Sequence, residues 1–531
     1  MLLVSFSAQG QPILNERYII NDATSSVFSS VIATDSCYYV TGGHTSGGGF
    51  TGLKAHFVKF NLEGTVVKST EYSNDTMGIG FMGTTKMINT LDGNFAQIAI
   101  AKESDFPTTY MFMKLNAEGD TILTKYYTQF YLEDFNNGKD PSTLIQNSDS
   151  SYFGLIQMQN DTNYLVGVTF FKLDKNGTLL FRKNFYGAHI TTYNALASAS
   201  MVRYDENKII IGAAYRRDYE EPEDKRNHTK LLILDTLGNL IDERLYTEDT
   251  LALDCYGLTK TVDGGLLYAG RYGRYNVEYD VIGYKAQIAK LDADFNREWS
   301  IQVGSGYTGS PYIGLRNILA LNDSEFVAVG FMKQFSPKDR NQYGWLIKFN
   351  IDGEKIWERK YLKIPHEHLA PNYPEHQLFD VDTTVDGGFV MVGAGINYEN
   401  EDELSGQKAW LIKTNRYGCI VPGCQFGDIP MDAEPKDTAI VQKPPKPEEP
   451  QTWLYPNPTS NSLFYYHHQD VFNFGTAYIY NSAGELVQKW DISVNDITYE
   501  IDVSGFASGQ YVLQVLNGDG KLIEVERFVK I

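Results

Sequence analysis

The 531 residues include 46 Lys and Arg against 66 Asp and Glu, a net charge of −20, and such a surface repels a phosphate backbone and excludes general nucleic-acid binding. Aromatic residues make up 13% of the chain, and its apolar runs are short, β-branched and punctuated by Gly, Asp and Asn, as in short strands and turns. None reaches the roughly 20 residues of a membrane-spanning helix, and no stretch keeps a helical period long enough for a framework helix. An all-β chain without a transmembrane segment is expected.

The chain opens with MLLVSFSAQGQ, a short apolar run ending in small residues. Residues 1–10 are expected to be the remnant of a secretory signal. Ile13 to Tyr18, ILNERY, then sets an aliphatic residue five positions before an aromatic one.

From there the chain repeats. An Asx-x-x-Gly turn follows a strand at Asn61–Gly64, Asn116–Gly119, Asp174–Gly177, Asp235–Gly238, Asn350–Gly353 and Asn415–Gly418, and a fifth copy, Asp292–Phe295, lacks the glycine. Lys59, Lys114, Lys172, Lys290, Lys348 and Lys413 each stand two residues before the Asx. A second turn series runs in phase through Asp35, Asp92, Asp149, Asp205, Asp263, Asp323 and Asp386. Asx side chains bond nearby backbone N–H groups and Gly supplies positive φ, so each period holds a meander of strands.

After each turn an outer strand pairs an aliphatic with an aromatic five positions on: Val67 and Tyr72, Ile122 and Tyr127, Leu180 and Phe185, Ile241 and Tyr246, Ile356 and Tyr361. Five apart in an unbulged strand means opposite faces, which predicts packing on both sides. The seventh period continues into CIVPGC and supplies no outer strand, whereas ILNERY matches IWERKY at 356–361. The N-terminal strand 13–18 is therefore expected to complete the last sheet and close a ring. Residues 11–424 read as a seven-bladed β-propeller, resembling bacterial propeller repeats of exported proteins; one such architecture hosts binding, scaffolding and many chemistries.

Four cysteines occur. Cys419 and Cys424 are spaced for a disulfide in an oxidising compartment, while Cys37 and Cys255 lie in strand-like runs and are expected to be buried free thiols.

Four stretches read as long loops offer chemistry. Arg271 to Tyr284, RYGRYNVEYDVIGY, presents Arg271, Tyr272, Arg274, Tyr275, Tyr279 and Tyr284, rings and donors able to stack on sugars and bond their hydroxyls. His366, His368 and His376, with Glu367 and Glu375, are types that ligate zinc or copper. Glu220, Glu221, Glu223 and Asp224, and again Glu399, Glu401, Asp402 and Glu403, would supply oxygens to calcium. The plainer reading of each is a solvated or self-packed loop, and no cofactor is expected.

Residues 425–452 turn to Pro, Lys, Glu and Asp, with KPPKPEEP at 443–450, and are expected to be an extended linker. Beyond it, alternating strands at 477–480, 485–490, 498–503, 510–516 and 522–529 predict a small immunoglobulin-like β-sandwich. Tyr455-Pro456-Asn457-Pro458, IYNSAGELV around Gly484, SGQYVLQV with Gly509 and Tyr511, and a terminal FVK with Lys530 stand in order. On these pieces residues 453–531 resemble the type A sorting domain of type IX secretion. The resemblance implies recognition by an outer-membrane translocon and its sorting protease, and a product that is secreted, extracellular or attached to the outer-membrane surface.

No Gly-x-Ser-x-Gly, His-Glu-x-x-His or phosphate loop occurs. The leading expectation is a non-catalytic propeller that binds a glycan or a protein. The alternatives are a glycan-active hydrolase or lyase with carboxylates from separate blades, and an adhesin or scaffold for a protein partner.

Overall fold

The computed structural model describes residues 11–20, 23–45, 52–74, 76–81, 85–102, 109–127, 137–159, 165–189, 200–216, 227–246, 251–253, 255–276, 280–304, 313–333, 341–363, 375–397, 406–421, 424, 452–455, 458–467, 474–493, 498–517 and 522–531. The chain divides into two compact units, Met1–Ile420 and Val421–Ile531.

Among the described residues, the first unit holds seven antiparallel sheets of four or five strands. Each sheet touches the next: the third strand of the first blade, Leu53–Asn61, meets Gly78–Gly80 of the second, and so on until Ser25–Ala33 of the first meets Glu375–Thr383 of the seventh. The sheets thus form a closed ring, a β-propeller. The seventh sheet is completed by the strand Leu14–Tyr18, which pairs with Gly406–Thr414 in the register Leu14↔Lys413 to Tyr18↔Ala409.

The Asx turns have the form their sequence implies. In the first, Asn61 N–H donates to the Thr65 carbonyl, Gly64 N–H to the Asn61 carbonyl, and Thr65 N–H to Asn61 Oδ1. Gly64 has φ +76°, and in the copy without glycine Phe295 is forced to φ +63°. In four copies the lysine two positions earlier reaches back to an aspartate of the other turn series: Lys114 to Asp92 at 2.5 Å, Lys172 to Asp149 at 3.7 Å, Lys290 to Asp263 at 2.6 Å and Lys413 to Asp386 at 2.9 Å. Those pairs tie two turns of one blade together, whereas Lys59 meets Glu118 in the turn of the next blade and Lys348 meets Glu325.

The outer-strand aromatic joins one blade to the next. Tyr72 Oη donates to the Gly119 carbonyl (2.5 Å), Tyr127 to Gly177 (2.7 Å), Tyr246 to Phe295 (2.7 Å) and Tyr361 to Gly418 (2.7 Å). Tyr18 of the closing strand does the same to Gly64 at 2.9 Å, so the N-terminus and the first blade share the bond. Burial pushes the Tyr18 phenol up to about 12 and the other four upward as well. In the fifth blade Trp299 Nε1 takes over, donating to Ile351 O at 3.2 Å. Tyr361→Phe leaves a buried carbonyl without its donor, so a loss of about 1–2 kcal/mol is expected in urea unfolding; an unchanged midpoint would show that this bond contributes nothing.

The aliphatic partner of that spacing is not packed. Val67, Ile122, Leu180, Ile241 and Ile356 are 46% to 56% exposed, because the outer strand is the rim of the ring and only its aromatic face meets a neighbour. The expectation of burial on both faces fails there. Cys37 is likewise half-buried, at the first position of its strand, while Cys255 is buried; both are free thiols.

The second unit packs a three-stranded sheet, Thr452–Tyr455, Ser462–His467 and Thr498–Asp502, with a four-stranded one, Leu486–Ser493, Phe474–Asn481, Gly509–Asn517 and Leu522–Lys530. Leu463, Ile479, Ile501, Leu513, Val515 and Phe528 form its core.

Candidate binding site at the ring axis

The innermost strand of a blade faces the axis, and in the described blades it seldom runs straight. It carries one extra residue at Ser29 in the first blade, Arg316 in the sixth and Phe379 in the seventh, and it is interrupted between Gly80 and Ile88 in the second and between Leu253 and Gly257 in the fifth. Opposite each bulge stands a glycine, Gly42, Gly330 or Gly393. A methyl group there would overlap the carbonyl oxygen of Val27, Gly314 or Gln377 respectively. A bulge bends its strand and re-aims side chains, and here it sends one polar residue per blade to a common point.

That point is Asp380. Its Oδ2 accepts from Ser30 Oγ (2.7 Å) and Val31 N–H (3.0 Å), and its Oδ1 from Lys86 Nζ (2.6 Å) and Asn317 Nδ2 (2.8 Å). Four blades meet on one carboxylate, and its four lone-pair positions are filled. Lys86 Nζ also donates to the Phe379 carbonyl at 2.8 Å; burial pulls its ammonium below the ordinary lysine range, with Asp380 opposing. Two residues along the same strand, Asp382 accepts from Ala33 N–H at 2.9 Å and is held above the usual carboxylate range by burial, with nearby Asp380 adding to the shift.

Beside this hub lies an aromatic and cationic group. The guanidinium of Arg316 is 4.9 Å from the centre of the Tyr256 ring and 5.2 Å from that of Phe331, and Arg271 lies 5.2 Å from Tyr256. Tyr256 lies in the interruption of the fifth inner strand, and Arg316 is itself the bulged residue of the sixth.

Of the residues singled out in sequence, Arg271 is thus brought to the axis group. The stretch after it is not a loop: Leu266–Asn276 and Asp280–Leu291 pair through it, with Tyr272↔Lys285, Gly273↔Tyr284, Arg274↔Gly283 and Tyr275↔Val281, because alternating aromatic and β-branched residues continue the strand period up to the turn. Tyr279 lies outside the described residues. His376 is a core histidine, its Nδ1 bonded to the Gln342 carbonyl (3.0 Å) and its Nε2 to Lys363 N–H (3.2 Å), so neither nitrogen is left for a metal. His366, His368 and both acidic stretches lie outside the described residues, among which no group of three His, Cys, Asp or Glu could hold a metal ion. Cys419 and Cys424 are joined by a disulfide.

In the C-terminal unit Tyr455 ends its first strand, Pro456 and Asn457 lie outside the described residues, and Pro458 is an exposed bend. Gly484 occupies a turn at φ +78°, and Gly509 opens the strand of Tyr511. The Tyr511 hydroxyl donates to the Ala507 carbonyl (2.7 Å) and its ring stacks on Phe528 at 5.3 Å. Lys530 pairs beside Thr459, whose N–H donates to Val529 O and whose carbonyl accepts from Ile531 N–H, so the start and end of the domain are laced together.

Fold and motif together define an exported β-propeller. Residues 453–530 match the family described as secretion system C-terminal sorting domain, which marks proteins exported by type IX secretion to the cell surface or the extracellular space. No helix among the described residues is long and apolar enough to cross a membrane. No curated protein matches the chain. Among solved structures it is similar to a Hadza microbial sialidase (9% identity, TM-score 0.39), with 58% of this chain and 64% of that one covered, so the chain spans just under two thirds of it. It is also similar to a Penicillium chrysogenum α-L-arabinanase (12%, TM-score 0.40, 62% and 92%) and to the β-propeller domain of the Trilobed protease from Pyrococcus furiosus (10%, TM-score 0.37, 74% and 96%).

Proposed function

We propose that the exported propeller is a glycan-binding protein whose ligand docks at the axis, against Tyr256, Arg316, Arg271 and Lys86. The observation that carries this is the chemistry converging there: a tyrosine face, two guanidiniums and an ammonium, around a carboxylate whose lone pairs are all taken. Such a group supplies donors for hydroxyl-rich ligands, while the lone pairs of Asp380 are engaged by its own protein donors. A second reading, a glycan hydrolase, draws support from Asp382 alone, a carboxyl raised toward proton-donor behaviour beside the same hub.

The test is binding of the full chain to a panel of polysaccharides, for wild type and Arg316→Met, which keeps the packing stem and removes the donors. Loss of a charge-assisted bond weakens affinity by about 10-fold or more. Equal binding by both proteins would move the site away from the axis, and silence across the panel would favour a protein partner.

A further inference from the structure

The closing strand is held by more than its ladder. Asn15 Nδ2 donates to the Leu362 carbonyl at 2.8 Å, Asn15 Oδ1 accepts from Trp410 Nε1 at 2.8 Å, and Glu16 pairs with Lys363 Nζ at 2.9 Å. Leu362 and Lys363 follow the outer strand Lys355–Tyr361 of the sixth blade, so the N-terminal strand fastens the sixth blade as well as the seventh.

His376 holds Lys363 from the other side and ties it to Gln342. The Gln342 carbonyl can only accept and the Lys363 N–H can only donate, so Nδ1 carries the proton and Nε2 is bare. The ring is fully buried and stands edge-on to Trp410 at 5.0 Å. Among the described residues, charged groups beside it include Arg17 of the closing strand, whose side chain lies with it beside Gly395, and Lys363 with its partner Glu16; the strands Gln342–Asn350 and Gly406–Thr414 present Gln342 and Trp410, both uncharged.

We propose that His376 is a pH-sensitive clasp on the ring closure, whose protonation releases Leu362–Lys363 and with them the strand Leu14–Tyr18. A proton on Nε2 sets a donor against the Lys363 N–H and a second positive charge near Arg17, so the imidazolium cannot keep the closed position. Burial accordingly holds the ring down at about 4, with Arg17 adding to the shift against the Gln342 bond, while an open, solvated histidine titrates near its ordinary 6.5. Between those two values the open form gains on the closed one by up to about 10-fold per pH unit.

Hydrogen exchange of the full chain at pH 7.5, 6 and 5, corrected for intrinsic exchange, tests this. The amides of Leu14–Tyr18 should lose protection toward 10-fold per unit below pH 6.5, while those of Gln342–Asn350 in the sixth blade stay protected. In His376→Gln, whose amide can accept from Lys363 and donate to Gln342, the loss should be nearly absent. Protection of Leu14–Tyr18 that ignores pH, or falls equally in both proteins, overturns the proposal. Should His376→Gln fail to fold, NMR of the wild-type imidazole decides: titration of the ring in step with opening of Leu14–Tyr18 supports the clasp, and titration near 6.5 with the strand intact rejects it.

Discussion

Gly393→Ala is expected to destabilise the propeller by about 3 kcal/mol or more, because the added methyl would overlap the Gln377 carbonyl in the bulge that delivers Asp380. The obstacle is backbone, not the end of a flexible side chain, so relief requires the inner strand to move. Movement there also withdraws Asp380 from Ser30, Lys86 and Asn317, each on a different blade. A control separates this from loss of glycine as such: Gly93 has φ +77° with open space around its Cβ position, so Gly93→Asn should cost under about 1 kcal/mol. Urea unfolding of the two variants beside wild type measures both, and equal midpoints would mean that the bulge is not needed.

Acidification from pH 7.5 to 5 should remove a few kcal/mol of stability. Burial holds His56 at about 3 and His376 at about 4, and it lowers His44 as well. Their unfolded values are near 6.5, so the unfolded chain takes up protons first as the pH falls. Stability is thus complete above 6.5 and lost on the way down toward 4 and 3; at pH 5, His56 and His376 account for about 2 kcal/mol each. Asp382, Glu375 and Glu526, raised by burial, act in the opposite direction and offset part of this. The low carboxyls Asp92 and Asp263, both at about 2, act only at lower pH. Denaturation at the two pH values checks the sum, and identical midpoints would contradict it.

The frame of the propeller was legible because it is built from local rules. Asx-x-x-Gly turns, the lysine before them and the aromatic five residues after an aliphatic each follow from hydrogen bonds within a turn, between turns of one blade or to the adjacent blade. ILNERY was readable as an outer strand for the same reason, since Tyr18 has the job of Tyr72 and Tyr361. The spacing did not tell the buried member of the pair from the exposed one, because that depends on which face of the rim the next blade covers.

The axis group was hidden by distance and by shape. Lys86 and Asp380 are 294 residues apart in the chain, and neither belongs to a motif. Their meeting depends on bulges, and the available signal was the glycine inside the second strands, in TGG at Gly42, AVG at Gly330 and MVG at Gly393, which marks close approach of another backbone. The tyrosine-rich stretch after Arg271 stands out by composition, yet the neighbour that matters to Arg271 is Tyr256, from the interruption of the inner strand. His376 looked like a ligand beside His366 and His368, but burial of its own segment gave both ring nitrogens to the backbone.

The most direct test of a binding role at the axis is to recover a polysaccharide retained by the full chain and weigh it by mass spectrometry after long incubation. The proposed binding protein returns the chain at its original length, with retention lost in Arg316→Met. Shortened products whose formation stops in Asp382→Asn would contradict it and establish the hydrolase in its place.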